Sequence, residues 1–267
     1  MSFTRVALLL GLLTAIFLAI GFFFAGVAGA GVALVLAVLI NFVSYWYSDK
    51  IVLSIYKAKP SDNKELHKIV KELAEKASLP MPKIYTMDMD IPNAFATGRS
   101  PKRAAVCVTR GLMEKLSEHE LSGVIAHELS HIKNRDTLIS TMAATIAGAV
   151  SWLGYAFWLG DPRNRNAFSF ILMFVLAPIA AALVQMAISR SREYLADESG
   201  AKISNPNWLA DALVKISDST KNMRLRGNHA SAHMFIVNPF SGSDFVSLFS
   251  THPPTEKRVA RLRQMKK

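Results

Sequence analysis

Long apolar stretches alternate with charged blocks along the chain. Residues 6–47 contain no charged side chain, and residues 137–159 and 167–189 form a second apolar pair around the polar loop 161–166. One helical crossing of a bilayer needs roughly 20 residues, so the first stretch is long enough to cross twice, with the small residues 25–31 as its turn. The pattern predicts four membrane spans in two hairpins.

A cleaved signal peptide is the alternative at the amino terminus, because Arg5 precedes an apolar run and residues 28–30 resemble a processing site. The run is longer than the apolar core of a signal peptide, which has about 7–15 residues, and a second apolar run follows directly. The sequence favours the hairpin.

Positive charge is concentrated in the two large polar blocks. Residues 48–137 hold 15 Lys and Arg and residues 190–267 hold 13. By the positive-inside rule, both blocks are expected on the cytoplasmic side. The chain has a net charge of +11 but contains no nucleic-acid recognition motif. Positively charged residues close to a membrane are expected to interact with anionic lipid. The lipid bilayer is therefore a predicted partner, and nucleic acid is not.

The first polar block predicts a helix followed by a small sheet. Asp62 with Glu65 forms a capping-box pattern, and apolar residues recur at helical spacing as far as Ala77, before Pro80. The predicted strands are residues 83–87, 93–97 and 104–109, with a turn at 98–101.

A second capping box, Ser117 with Glu120, begins the next predicted helix. Two histidines, His127 and His131, lie along one flank of its apolar face. The residues of that face are Leu121, Val124, Ile125, Leu129 and Ile132.

This helix carries a His-Glu-x-x-His motif. His127 and His131 are four residues apart, so they share one helix face and can both coordinate zinc. Glu128 can reach water at the metal as a general base. The alternative is a surface helix with two unrelated histidines, which the capping box and the apolar face argue against.

A catalytic zinc usually takes three protein ligands and leaves a fourth position for water. The extended form of the motif is excluded, because its later positions hold Asn134 and Thr137. The best candidate for the third ligand is Glu193. Asp197, one helical turn further on, is expected to accept the outer ring N–H of a liganding histidine, His127 in particular. Taken alone, Glu193 and Asp197 would also fit a solvated helix face.

The spacing between ligands and apolar segments predicts where the metal lies. If one helix runs unbroken from His131 into the third span, and another from the fourth span to Glu193, both ligands sit roughly 6–9 Å outside the membrane segments. Cys107 is the only cysteine, so the ligands are expected to be His and carboxylate.

Four motifs together resemble the HtpX group of membrane zinc metallopeptidases, relatives of the prenyl-protein (CAAX) peptidases within the gluzincins. These motifs, spread over nearly the full length, are residues 93–98, 127–131, 189–197 and 251–258. The implied fold is a mainly α multi-pass membrane protein with a small β-sheet, a zincin-like metallopeptidase domain joined to four transmembrane helices.

The resemblance implies one zinc ion per subunit, held by His127, His131 and Glu193, with Glu128 as catalytic base. It also implies that an extended substrate pairs with an edge strand of the small sheet. Alternatively, this segment is an ordinary hairpin strand that binds no substrate. The residues of this strand are Asn93, Ala94, Phe95 and Ala96. The resemblance suggests that His252 stabilises the oxyanion or occupies the open zinc position, unless it only belongs to a helix-entry loop.

The predicted organisation has four parts. These are an amino-terminal transmembrane hairpin (1–47), a cytoplasmic metallopeptidase part (48–136), a second transmembrane hairpin (137–189) and a cytoplasmic part with the third ligand (190–267).

The expected function is that of an inner-membrane zinc metalloendopeptidase in stress response and membrane-protein quality control. Its substrates would be membrane-attached, misfolded or juxtamembrane polypeptides. Two alternatives remain. One is a CAAX-type prenyl-protein peptidase, for which four spans are few. The other is a non-catalytic zinc-containing scaffold or chaperone, although a structural zinc is normally closed by four protein ligands.

Overall fold

The computed structural model describes residues 2–140, 190–221 and 253–265. This part of the chain is mostly helical with one small mixed sheet. The helices are α1 (Ser2–Ile55), α2 (Lys64–Lys76), α3 (Arg110–Lys115), α4 (Glu118–Lys133), α5 (Arg190–Ile203), α6 (Pro206–Lys221) and α7 (Thr255–Gln264). The strands are β1 (Lys59–Pro60), β2 (Lys83–Met87), β3 (Ala94–Gly98) and β4 (Ala104–Thr109).

Helix α1 is broken into two arms at Ala25 and Gly26, whose backbone angles are not helical. Gly26 has a φ of 58°, a conformation that glycine adopts without a steric penalty. The arms pack closely, because a Cβ atom on Gly29 would clash with the carbonyl oxygen of Gly21. Small residues at such a crossing let two helix backbones approach, as is common between membrane helices.

A polar contact also joins the two arms of α1. The amide of Asn41 donates a hydrogen bond to Thr14 Oγ1 at 2.9 Å, across 27 residues of sequence. The second arm continues to Ile55, beyond residue 47, where the sequence predicted the hairpin to end.

Among the described residues, one helical segment, Ala25–Tyr47, is long and apolar enough to cross a membrane. Its side chains are mostly exposed, as Val27 at 81% and Phe42 at 56% illustrate. The four predicted spans are thus not confirmed. The second predicted pair, 137–189, lies outside the described residues except for 137–140.

The predicted small sheet is confirmed, in the order β1-β2-β4-β3. β2 and β4 are parallel, whereas β3 runs antiparallel to β4 and forms one edge of the sheet. Every residue of β4 is buried, because both faces of the sheet are covered. Val106 and Val108 face a core that includes α2, α4 and α6, and Cys107 faces Val52 and Leu53 at the end of α1.

Helix α2 begins one residue later than its capping pattern predicted. Asn63, rather than Asp62, is the N-cap, and its side-chain oxygen accepts from the backbone N–H of Leu66. The prediction of an Asp62–Glu65 capping box is therefore wrong, because Asn63 has the extended N-cap backbone and its side-chain oxygen takes the N–H of the first turn. The predicted apolar face, from Leu66 to Ala77, is buried.

Helix α4 has the predicted capping box. Ser117 and Glu120 exchange hydrogen bonds at its first turn, and Lys215 of α6 lies 2.7 Å from the Glu120 carboxylate. Burial by itself raises the pKa of Glu120, but the hydrogen bonds from Lys215 and Ser117 outweigh it and lower that pKa. The predicted apolar face of α4 is buried, so the two histidines are held by a helix fixed in the core.

The helix does not run on from His131 to Thr137, so that part of the prediction is wrong. α4 ends at Lys133, and Arg135 has a φ of 58°, which closes a sharp turn. The backbone N–H of Asp136 donates to the carbonyl of His131 at 2.9 Å, and residues 137–140 begin a new helical segment. The chain thus folds back on the end of the metal-motif helix.

Candidate metal centre

Three side chains from two helices converge at the carboxyl-terminal half of α4. His127 Nε2 and His131 Nε2 are 3.2 Å apart. Glu193 of α5 brings its two carboxylate oxygens to 3.6 Å from His127 Nε2 and 3.5 Å from His131 Nε2. His127 and Glu193 are buried, and His131 keeps a small exposed fraction.

The spacing of these donor atoms fits zinc. Ligand atoms about 2.0–2.1 Å from a tetrahedral ion are about 3.3 Å from one another. The two imidazole nitrogens are 3.2 Å apart, and each lies 3.5 or 3.6 Å from one of the two Glu193 oxygens, close to that value. With one ligand atom from each residue, the three atoms lie within 4.8 Å of one another. Two imidazoles and one carboxylate are also a donor set that zinc takes at catalytic sites, where a fourth position remains for water.

The outer nitrogen of His127 is held by a carboxylate. Asp197 Oδ1 lies 2.9 Å from His127 Nδ1, and Asp197 is itself buried one turn beyond Glu193 on α5. An ionised carboxylate here accepts the Nδ1–H, which leaves the Nε2 lone pair directed at the metal position.

Behind Asp197 lies Arg258 of α7, which is only 1% exposed. Its Nη2 and Nε donate to the two Asp197 oxygens at 2.6 and 2.9 Å, a bidentate pair. Nη2 also lies 3.4 Å from His127 Nε2. The charge of Asp197 is therefore compensated inside the core.

The outer nitrogen of His131 has a parallel arrangement. Asp136 Oδ2 lies 3.3 Å from His131 Nδ1, and Arg192 Nη1 lies 3.1 Å from Asp136 Oδ1. Each histidine ring thus contacts an aspartate, and that aspartate in turn contacts an arginine. Both aspartates are therefore paired with arginines.

Local interactions set the protonation of this network. Burial lowers the pKa of His127, but hydrogen bonds to Asp197 and Glu193 outweigh burial and raise that pKa to about 9. Burial raises the pKa of Asp197, but the charge of Arg258 and the contact with His127 outweigh it and lower that pKa to about 2. Asp197 is therefore an ionised acceptor at neutral pH.

Glu128, the residue after His127, contacts the sheet. Its Oε2 accepts a hydrogen bond from the backbone N–H of Ala96 in β3 at 2.8 Å. Because that N–H is directed at Glu128, it points away from β4 and toward the outer side of β3, where the described residues place no further strand. By strand alternation, the backbone groups of Ala94 share this direction.

The remaining residues singled out from the sequence fall into two groups. Ala94 and Ala96 lie in the edge strand, Phe95 packs under it against Tyr56, and buried Asn93 precedes the strand. His252 lies outside the described residues.

Sequence reasoning missed three residues of the network: Asp136, Arg192 and Arg258. Arg192 and Arg258 stand inside two of the motifs that carry the family resemblance, but no role had been given to either. The sequence signal for these two residues was a charged side chain inside a family motif; for Arg192, that motif directly follows an apolar segment. Burial and pairing of these side chains are visible only in the tertiary structure.

Comparisons with known proteins agree about the family. The model of peptidase family M48 matches residues 60–266. A protein named Protease HtpX homolog from Pyrococcus furiosus is 53% identical over 98% of this chain and 95% of its own length. Proteins of the same name from Thermococcus sibiricus and Pyrococcus abyssi are each 52% identical over the same shares. The resemblance to the HtpX group is confirmed.

A solved structure has a related fold. The crystal structure of S. mikatae Ste24p superposes with a TM-score of 0.55 at 18% sequence identity. The match covers 94% of this chain and 62% of that chain.

Replacement of Arg258 by methionine should destabilise the protein, because it leaves the Asp197 carboxylate buried without its partner. Removing one member of a buried ion pair costs about 3–5 kcal/mol, and we expect the free energy of unfolding to fall by about that amount. Denaturation in detergent, followed by circular dichroism, measures the change. The control is Arg263→Met on the same helix, which breaks a half-exposed pair with Asp211 and should cost about 0–1 kcal/mol. Equal losses in the two variants would contradict the assignment.

Proposed function

The chain belongs to peptidase family M48 and is a membrane zinc metalloprotease, and on that premise we propose which residues perform the cleavage. His127, His131 and Glu193 hold one zinc ion, and Glu128 is the catalytic base. The observation that carries the proposal is the convergence of ligand atoms from His127, His131 and Glu193 within 4.8 Å of one another, together with a Glu128 carboxylate that contacts the edge strand β3.

Zinc bound there supplies a Lewis acid that polarises the scissile carbonyl and acidifies water. Glu128 follows His127 in sequence, so its carboxylate lies beside the two histidines and can take the proton of the attacking water. The same carboxylate then delivers that proton to the departing amine. Asp197 and Asp136 keep the two imidazoles oriented throughout. No covalent bond between enzyme and substrate forms.

The edge strand β3 is the proposed site for the substrate backbone. An extended peptide that pairs with the open edge would run past Ala96, whose N–H contacts Glu128. Strand addition recognises backbone rather than side chains, which suits cleavage of misfolded polypeptides of varied sequence.

Two contacts support a position of this edge close to the membrane. The guanidinium of Arg99, directly after β3, stacks over the ring of Trp46 at 3.8 Å, at the end of the candidate span. Thr137, where the second apolar stretch begins, donates its hydroxyl to the carbonyl of Gly98 at 2.9 Å. Membrane-attached and juxtamembrane chains are therefore the proposed substrates, in keeping with a role in stress response and quality control.

We also propose that the protein crosses the membrane four times with both polar blocks on the cytoplasmic side. The apolar stretches of the sequence and the distribution of Lys and Arg support this topology. The four parts 1–47, 48–136, 137–189 and 190–267 follow from it.

Exchange of Glu128 for glutamine should lower kcat by about 10²–10⁴-fold and leave one zinc per chain, because the change removes the base but no ligand. Glu193→Gln should lose zinc as well as activity. The test is to purify each variant in detergent without metal, add zinc, and measure both bound metal and cleavage of a chemically unfolded, fluorescently labelled protein. Glu118→Gln, an exposed change on the same helix, is the control and should cleave normally. Cleavage by both the parent and Glu128→Gln, or by neither, would refute the assignment of the base.

Proline at position 96 should lower kcat/KM for peptide substrates about 10–100-fold. It removes an N–H that contacts a charged group, an interaction of about 1.5–3 kcal/mol, and it closes the edge to a pairing strand. The pairing of β3 with β4 should survive, because this N–H points away from β4. Ala96→Gly keeps the N–H and is the matched control. If both variants retain zinc and cleave at the same rate, β3 is not the substrate strand.

Labelling of single cysteines tests the topology. Burial raises the pKa of the native Cys107 thiol to about 12 and shields it, so the unmodified chain should stay unlabelled. In intact cells, a membrane-impermeant maleimide should label Arg163→Cys in the loop between the second pair of spans. It should not label Lys64→Cys, an exposed position in the first polar block, until the cells are lysed. The reverse pattern would contradict the proposed orientation, and an unlabelled Arg163→Cys before and after lysis would be inconsistent with an exposed loop.

A further inference from the structure

An ion pair joins the two ends of the second apolar segment. Arg192 Nη1 donates to Asp136 Oδ1 at 3.1 Å, across 56 residues of sequence. Asp136 directly precedes Thr137, where the apolar segment 137–189 begins, and Arg192 follows shortly after that segment ends. Both side chains are largely buried, with 10% and 14% exposed.

Each member of the pair is also tied to a proposed metal ligand. Asp136 Oδ2 lies 3.3 Å from His131 Nδ1. Arg192 is the residue before Glu193, whose Oε1 lies 3.5 Å from His131 Nε2. The four residues form a closed ring of contacts, in which a shift of either end of the segment would move a ligand.

An uncommon backbone conformation brings Asp136 into this ring of contacts. Arg135, a residue with a Cβ atom, takes a φ of 58°, which such residues adopt uncommonly. The turn folds the chain back so that the N–H of Asp136 reaches the carbonyl of His131. A longer, straight continuation of α4 would carry the carboxylate away from the imidazole.

The ion pair is poorly suited to a purely stabilising role. Arg192 Nε and Nη2 are buried and have no hydrogen-bond partner among the described residues. Burying a guanidinium that is only partly paired costs desolvation energy that the single contact offsets incompletely. The pair's main effect is then geometric, since it fixes where α5 starts relative to the end of α4.

We infer that Asp136 and Arg192 form a clasp at the base of segment 137–189 that positions His131 and Glu193 for the metal. The inference rests on the proposed function of those two ligands. Asp136 orients the His131 ring, and Arg192 sets the position of the first turn of α5, from which Glu193 reaches the site. Both are positioning residues.

The test measures zinc affinity in a Glu128→Gln background, which prevents self-cleavage. Asp136→Asn and Arg192→Gln should each weaken zinc binding about 10–100-fold in competition with a chromophoric chelator, the loss typical of partners that orient ligands. The double variant should lose no more than the worse single variant, because the two residues act as a unit. Arg192→Lys, which keeps the charge, should recover most of the affinity.

Two further measurements separate positioning from general stabilisation. The control Asp211→Asn removes a half-exposed ion pair with Arg263 and should bind zinc like the background protein. Without metal, each single clasp variant should unfold at a lower temperature than Asp211→Asn, because it leaves a buried charge without its partner. The double variant, which removes both charges, should regain most of that loss in unfolding temperature but should not regain zinc affinity. With cobalt in place of zinc, their visible spectra should differ from the background spectrum, because the ligand geometry has changed.

Several outcomes would overturn the inference. Unchanged zinc affinity in both single variants would do so, as would additive losses of affinity in the double variant, or a double variant whose zinc affinity recovers together with its unfolding temperature. A background protein that binds no zinc would refute the metal site itself and the clasp with it. Normal zinc binding in the background and in the clasp variants would reject the clasp alone.

Discussion

Two imidazole rings at the edge of an apolar core must each keep one nitrogen directed at the metal position, and the rest of the centre depends on this constraint. An aspartate holds the outer nitrogen of each ring, Asp197 for His127 and Asp136 for His131. A buried aspartate needs its own compensation, and an arginine supplies it in both cases. Three helices, α4, α5 and α7, and the turn after α4 therefore contribute side chains to a site whose ligand atoms lie within 4.8 Å of one another.

The sheet relates this centre to the membrane segment. One face of the sheet packs on α4 and its neighbours, and the other packs on Val52 and Leu53 at the end of α1. The edge strand β3 consequently lies between Glu128 on one side and the end of the apolar hairpin on the other. In the proposed function, a substrate strand added there would meet the proposed base while remaining close to the bilayer.

Much of the fold could be predicted from local pattern. The apolar face of α2, the capping box and buried face of α4, and the strands of the small sheet all follow from periodicity and turn chemistry, which act over a few residues. The two errors have different origins. Asn63 displaced Asp62 as the cap of α2, and α4 stopped at Lys133 because Asp136 is needed against His131. The second error shows a tertiary requirement overriding a helical pattern that looked continuous.

The sequence by itself determined which reactive side chains are available: two histidines on one helix face, a glutamate between them, and a second carboxylate motif. It determined as well that the apolar stretches are long enough to cross a membrane. It also determined the family, through motifs spread over the whole length. Only the tertiary structure decided which charges are buried together. The contacts of Arg258 with Asp197 and of Arg192 with Asp136 join residues 61 and 56 positions apart. No local periodicity encodes such a distance, because these pairs form only when separate helices pack against the same face of α4.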